Sequence, residues 1–182
     1  ITGGLGYIGT ELCKLYSGVS WHHKVIVIDN RFISERVNQL RNWNMEFVHG
    51  DILNKDLIKK HCADADVVHH LAGITDVPRI KSEATSVKDE KIKEVGEKGT
   101  QNILDVIGDK CKIIFPSTHV VYEGINEVKT DIKENEEVHP VLSYSSSKAI
   151  NEDQLKKSGK NYVILRLGSV YGYSTDSMRI DI

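Results

Sequence analysis

Gly3, Gly6 and Gly9 stand three residues apart in the opening stretch Ile1-Thr2-Gly3-Gly4-Leu5-Gly6-Tyr7-Ile8-Gly9. Nothing else in the chain limits the fold as much. Glycines at this spacing suit a turn that leaves a strand, lets backbone come close to a pyrophosphate, and opens a helix. The free N–H groups and positive dipole end of that helix would receive the phosphates. The plain alternative is an ordinary turn, since short glycine patterns also arise by chance. Later features add weight: an acid at the right distance, the Thr-Gly-Gly opening itself, and a Tyr-x-x-x-Lys near the other end.

A chain of 182 residues makes one domain with at most a small appendage. Its 40% hydrophobic and 27% charged residues are those of a soluble globular protein. The formal net charge of −2 offers no basic surface for nucleic acid. No apolar run is long enough to span a bilayer, and no signal-peptide pattern is present. Cys13, Cys62 and Cys111 are scattered, which suits reduced, mostly buried thiols in a cytoplasmic protein. There is no initiator Met, and the strand expected before the glycine turn is reduced to Ile1. The sequence therefore reads as a piece of a longer protein, cut at both ends.

Residues 7–18 predict a helix with Ile8, Leu12 and Leu15 on one face and Gly18 as its stop. The run 24–29, Lys-Val-Ile-Val-Ile-Asp, suits a strand buried on both faces of a parallel sheet. It ends at Asp29, twenty residues after Gly9, where a carboxylate reaches the adenosine ribose of a dinucleotide. A 2′-phosphate would be repelled there, which favours NAD over NADP, although Arg31 nearby could receive that phosphate. Otherwise Asp29 is a strand-end or capping residue. Further strands are expected over 45–49, 66–70, 112–115 and 162–166, and helices over 35–42, 54–61, 85–107 and 141–157. Asp51 follows the third strand, where it either bonds the adenine amino group or serves the turn. A polar loop with Pro78 over 74–84 is of the kind that reaches over a site. The alternation predicts an α/β fold: a Rossmann-type doubly wound parallel sheet with helices on both faces. Gly3, Asp29, Asp51, Ala72, Thr118 and Arg166 fall at or just past strand ends, so one crevice could collect most of them.

Tyr144 and Lys148 are four apart on a predicted helix and share a face. A free phenol has a pKa of about 10, too high for a base at neutral pH. A neighbouring ammonium favours the phenolate, so Tyr144 can take a proton from an alcohol as its carbon gives up hydride. Lys148 would also bond the nicotinamide ribose. Thr118 can hold the alcohol or carbonyl oxygen by its hydroxyl, with Ser117 as the fallback. The plain alternative is a surface Tyr and Lys on an amphipathic helix. His69 and His70 point to opposite faces of a strand and do not suit one metal ion; no metal is expected. His119 could line a substrate pocket.

These stretches resemble those of an extended short-chain dehydrogenase/reductase, specifically the NAD-dependent nucleotide-sugar epimerase/dehydratase family. The resemblance is carried by residues 2–9, 27–30, 50–51, 70–73, 99–100, 117–118 with 121–122, 140–148, and 165–166 with 170–172, in the family's order. It implies tightly held NAD and Thr118, Tyr144 and Lys148 as the catalytic set. It implies cofactor contacts from Gly3, Gly6, Tyr7, Ile8, Gly9, Asp29, Asn30, Asp51, Ile52, Leu71, Ala72, Gly73, Tyr144 and Lys148. It also implies a homodimer joined through the long helix and the Tyr-Lys helix, a nucleotide-sugar substrate, and a C-terminal sugar-binding domain that begins at about 172–182 and is largely missing. Five positions depart from the family pattern. Gly96 stands in the usual Asn place, Gly73 replaces the commoner Ala, and Tyr173 stands where Pro often follows Tyr-Gly. His119 and Val120 replace the Asp-Glu of the 4,6-dehydratases.

The leading expectation is an epimerase that oxidises a sugar hydroxyl, commonly at C4, and returns hydride to the other face. A dehydrogenase, reductase or decarboxylase of the same family shares every motif, and a non-catalytic dinucleotide-binding module shares all but the need for Tyr144 and Lys148.

Overall fold

The computed structural model describes residues 1–75 and 86–172. Pro78 in the expected 74–84 loop, and the stretch from Tyr173 onward, lie outside the described residues. The elements alternate as expected: α1 (Tyr7–Tyr16), β1 (Ile26–Asp29), α2 (Ser34–Asn42), β2 (Glu46–His49), α3 (Lys55–Cys62) and β3 (Val67–His69). The long helix follows as α4 (Ser86–Lys93), a π-turn (Glu94–Lys98) and α5 (Gly99–Val106). Then come β4 (Lys112–Thr118), a 3₁₀ turn (His119–Tyr122), α6 (Ser143–Lys157) and β5 (Asn161–Leu167).

All strand pairs are parallel. β1 pairs β2 through Val27 and Phe47, β3 pairs β4 through Val68 and Ile113, and β4 pairs β5 through Ile113 and Tyr162. Thr2 joins the two sheets by bridging Ile28 on one side and His70 on the other. The spatial order is therefore β2, β1, the Thr2 segment, β3, β4, β5, that of a doubly wound dinucleotide fold. Side-chain alternation along β1 feeds two cores. Val27 packs with Leu5, Cys13, Val37 and Leu40 under α1 and α2; Ile28 packs with Ile58, Ile103, Phe115 and Leu155 under α3, α5 and α6. All three cysteines are free and buried. Among the described residues no helix is long and apolar enough to cross a membrane.

Three local features depart from expectation or refine it. The apolar face read into α1 is not the buried one: Gly9, Thr10 and Cys13 face the core, and Leu15 is 78% exposed. The reason is steric. A Cβ on Gly9 would lie 2.5 Å from the Gly3 carbonyl oxygen and 2.6 Å from the Gly4 Cα, so only small residues let the helix start this close to its own turn. Asn54 caps α3 by accepting from the Leu57 N–H at 3.1 Å, a contact worth about 1 kcal/mol. β4 runs on to Thr118 through Pro116 because its β3 neighbour has already ended. Ile114 gives its carbonyl to the His70 N–H (2.9 Å), and Pro116, two residues on, faces the same side beyond β3. Its missing N–H costs the ladder nothing.

His69 and His70 do point to opposite faces. His69 Nε2 meets the Tyr16 hydroxyl at 2.8 Å, while His70 lies between the Thr2 (2.9 Å) and Thr100 (3.0 Å) hydroxyls. Burial, with the positive charge of Lys148 adding to it, holds His70 neutral by lowering its pKa to about 3.

Candidate functional site

The glycine turn leaves the sheet centre at Thr2. Gly3 has a φ of 68°, and a Cβ there would stand 2.6 Å from the Ala72 nitrogen. This close approach draws the turn against 71–72, where the Leu71 N–H donates to the Thr2 carbonyl (3.1 Å) and the Ala72 N–H to its hydroxyl (3.3 Å). Gly6 is the N-cap of α1 and has no side chain to bond the first-turn N–H groups; that turn also carries no acid. The positive helix end is thus left for an anion between two segments of close-packed backbone, which fits a dinucleotide pyrophosphate. Gly9→Ala is expected to weaken dinucleotide binding and cost about 1–3 kcal/mol of stability, read by cofactor titration and thermal melting.

Asp29 ends β1 and is 5% exposed. Its Oδ2 accepts from the Leu5 N–H (2.9 Å), and its Oδ1 from the Arg31 N–H (3.0 Å) and Arg31 Nε (3.3 Å). The acid therefore also ties down the glycine turn, a task its spacing did not disclose. Asn30 Nδ2 donates to Asp51 Oδ2 (3.0 Å), and Asp51 Oδ1 accepts from the Leu53 N–H (2.9 Å). Asp51 thus shapes the turn after β2 while standing beside Asn30. Ile52 is buried against Gly99, and its carbonyl accepts from Asn102 Nδ2 (3.0 Å), so its side chain faces the core. Gly73 is exposed, with open space where a Cβ would be. Ile8 is 37% exposed, and the Tyr7 hydroxyl donates to the Gly172 carbonyl (3.0 Å), bringing the segment after β5 over the start of α1.

At the other half of the crevice, α6 lies against the end of β4. Lys148 Nζ donates to the Pro116 carbonyl (2.9 Å), sits 4.4 Å from the Phe115 ring centroid and 5.9 Å from that of Tyr144. Desolvation lowers its pKa to about 8, against an opposing pull from the Glu152 carboxylate. Thr118 ends β4, 9% exposed, and its Oγ1 accepts from the Val120 N–H (3.3 Å). Ser117 is committed elsewhere: its hydroxyl donates to Glu152 Oε1 at 2.6 Å. That removes it as the fallback for Thr118.

Two acids complete this region, and neither stood out from spacing alone. Glu123 reaches back from the 3₁₀ turn to the start of α6, where its Oε1 accepts from the Val141 (2.8 Å) and Leu142 (2.7 Å) N–H groups and the Ser145 hydroxyl. Burial would raise its pKa; these donors outweigh burial and lower it. Glu152, 1% exposed, receives Arg166 twice, Nε on Oε1 at 2.9 Å and Nη2 on Oε2 at 2.6 Å. Arg166 also lies over the Tyr122 ring and donates to the Glu134 carbonyl (2.9 Å). A cavity opens beside it, lined by His119, Tyr122, Ile132 and Glu134. His119 Nδ1 is 3.1 Å from the Leu167 carbonyl, at this cavity's wall.

The Gly96 departure has a local counterpart. Gly96 lies in the π-turn, and a Cβ there would meet Ser147 Oγ at 2.2 Å. Its carbonyl accepts from Asn151 Nδ2 at 3.0 Å. The Tyr-Lys helix is thus fastened to the long helix without an asparagine at position 96.

Fold and crevice together define a dinucleotide-binding protein of the short-chain dehydrogenase/reductase type. The chain belongs to the NAD dependent epimerase/dehydratase family, whose model matches residues 1–181. It is 35% identical over 185 residues to a protein of Methanocaldococcus jannaschii provisionally assigned as a UDP-glucose 4-epimerase, covering 97% of this chain and 57% of that one. It is 30% identical over 203 residues to the CDP-paratose 2-epimerase of Salmonella typhi, covering 94% and 57%. Among solved structures, UDP-glucuronic acid 4-epimerase from Bacillus cereus in complex with NAD superposes with a TM-score of 0.75 at 28% identity, covering 96% of this chain and 56% of that one. The chain thus spans a little over half the length of these relatives. The family is NAD-dependent, and the expected fold class and cofactor stand.

Proposed function

We propose that this chain is the cofactor half of an NAD-dependent nucleotide-sugar epimerase that inverts a sugar carbon, C4 by preference, through a transient ketone. The observation that carries the reading is the placement of Lys148. Its desolvated ammonium lies beside the Tyr144 ring and bonds the strand end that bears Thr118. Bound NAD supplies the acceptor, and on return the donor, of the hydride. Gly3, Gly6, Gly9 and the first turn of α1 would hold its pyrophosphate, Asp29 its adenosine ribose, and Asp51 its adenine. Tyr144 takes the proton of the sugar hydroxyl and later returns one to the same oxygen. Lys148 stabilises the phenolate, and Thr118 holds the sugar oxygen in line with Tyr144.

The names of the relatives favour epimerisation over net oxidation, and two of those quoted carry the name 4-epimerase, one of them provisionally. His119 and Val120, where the 4,6-dehydratases carry Asp-Glu, also lean away from dehydration. The test is turnover by the full-length protein on a panel of UDP-, CDP- and dTDP-sugars. An inverted product without stoichiometric NADH supports the reading. Stoichiometric NADH points instead to a dehydrogenase or decarboxylase, and cofactor binding without conversion of any sugar points to a binding module.

A pH dependence follows from Lys148. Its ammonium is lost above about pH 8, and its support of the phenolate goes with it. kcat/KM is expected to fall on the alkaline side from that pH; a profile flat to pH 10 would remove Lys148 from the role. We place the protein in the cytoplasm, as three free buried thiols suit a reducing compartment. We also assign it a homodimer through α4 and α6, where Val87 and Ile150 are exposed, to be checked by sedimentation.

A further inference from the structure

At the corner assigned to the adenosine ribose an arginine stands against the acid. Its acid, Asp29, is engaged by the Leu5 N–H on one oxygen and by the Arg31 backbone and Nε on the other. Arg36, 7% exposed, donates from its guanidinium to the Leu5 carbonyl behind the same turn. The Arg31 guanidinium therefore offsets the Asp29 carboxylate. Arg31 spends its Nε on Asp29, and its side chain is 41% exposed. Its Nη2 lies 3.7 Å from where a Cβ on Gly6 would stand, so the fork lies across the outer surface of the glycine turn.

An acid at this strand end excludes a 2′-phosphate by charge repulsion, and an arginine nearby admits one. Repulsion needs a carboxylate whose charge is not already offset. Here the offsetting group is the residue best shaped for a phosphate, a planar fork of donors with its terminal nitrogens near the surface.

We propose that Arg31 forms a 2′-phosphate subsite, so that the crevice accepts NADP as well as NAD. This rests on the dinucleotide reading above and sharpens it from cofactor class to cofactor selectivity. Asp29 keeps a share of the ribose, but its first task is to hold Leu5 and Arg31 in place.

The test is equilibrium titration of the protein, cleared of carried-over dinucleotide, with NADH and with NADPH, followed by nicotinamide fluorescence. In the parent protein the two dissociation constants are expected to lie within about tenfold. Arg31→Leu should raise the NADPH-to-NADH ratio of dissociation constants by about tenfold or more, the scale of a lost charge-assisted contact. Arg31→Lys should recover part of it. A ratio above about 100 in the parent, or a ratio unchanged by Arg31→Leu, overturns the subsite while leaving NAD binding in place. Failure of the parent to bind either dinucleotide overturns the underlying reading and the subsite with it.

Discussion

Tyr144→Phe in the full-length enzyme is expected to cut turnover by about 10²–10⁴-fold, the range for removing a positioned acid–base group. The change deletes one oxygen and keeps the ring, so the packing of α6 on β4 is retained. The Lys148 ammonium keeps its Pro116 carbonyl and its place against Phe115. Cofactor affinity should change little, because the glycine turn, Asp29 and Lys148 are untouched. Measuring kcat and the NAD dissociation constant on one preparation separates the two effects. Parallel loss of both would mean that Tyr144 organises the crevice and does not act on the substrate. Turnover within a few-fold of the parent would hand the proton transfer to another group.

The second large effect is on stability. Glu152→Ala leaves Arg166 without its carboxylate in a site where the Arg166 side chain is 13% and that of Glu152 2% exposed. It also strips Ser117 of its acceptor. Removing one partner of a buried pair costs about 3–5 kcal/mol, a fall in Tm of roughly 10 °C for a domain of this size. Glu152→Gln keeps the shape and one acceptor oxygen and should lose less. Burial alone would raise the Glu152 pKa; bonds from Arg166 and Ser117 outweigh it and hold the group below its ordinary value. Such a depressed acid contributes fully above its unfolded pKa, about 4.3, and the contribution is lost as pH falls through the folded value. The gap between parent and Glu152→Gln should therefore be widest above pH 5 and close in stronger acid. Equal melting of parent and Glu152→Ala at pH 7 would show that the pair contributes nothing net.

Much of this fold could be read from local pattern. Apolar runs bounded by polar turns located β1, β2 and β5 to within two residues, although only β1 is buried along most of its length. The glycine turn and the Tyr144–Lys148 pair were legible because chemistry ties residue type to a fixed offset. What escaped was set by distant contacts. Leu15 looked like a core residue by period, but the close seat of Gly9 on Gly4 turned another face of α1 inward. Strand β4 was expected to stop before Pro116, and only the early end of β3 explains why it continues. Glu123 and Glu152 sit in charged, polar stretches that resemble solvated surface. Apart from Lys156, four residues from Glu152, the partners named above lie 14 to 35 positions away, and no local rule reports those. Asp29 was legible as the acid that ends β1, whereas its hold on Leu5 and Arg31 was not.

Positions 96 and 147 occupy a single volume at the crossing of the two helices. Whatever fills one sets the size limit for the other. Restoring the family's asparagine at 96 alone would press its side chain into the Ser147 hydroxyl and push apart the helices that seat Lys148. The two sites are best engineered as a unit, with bulk added at one only when it is withdrawn from its neighbour.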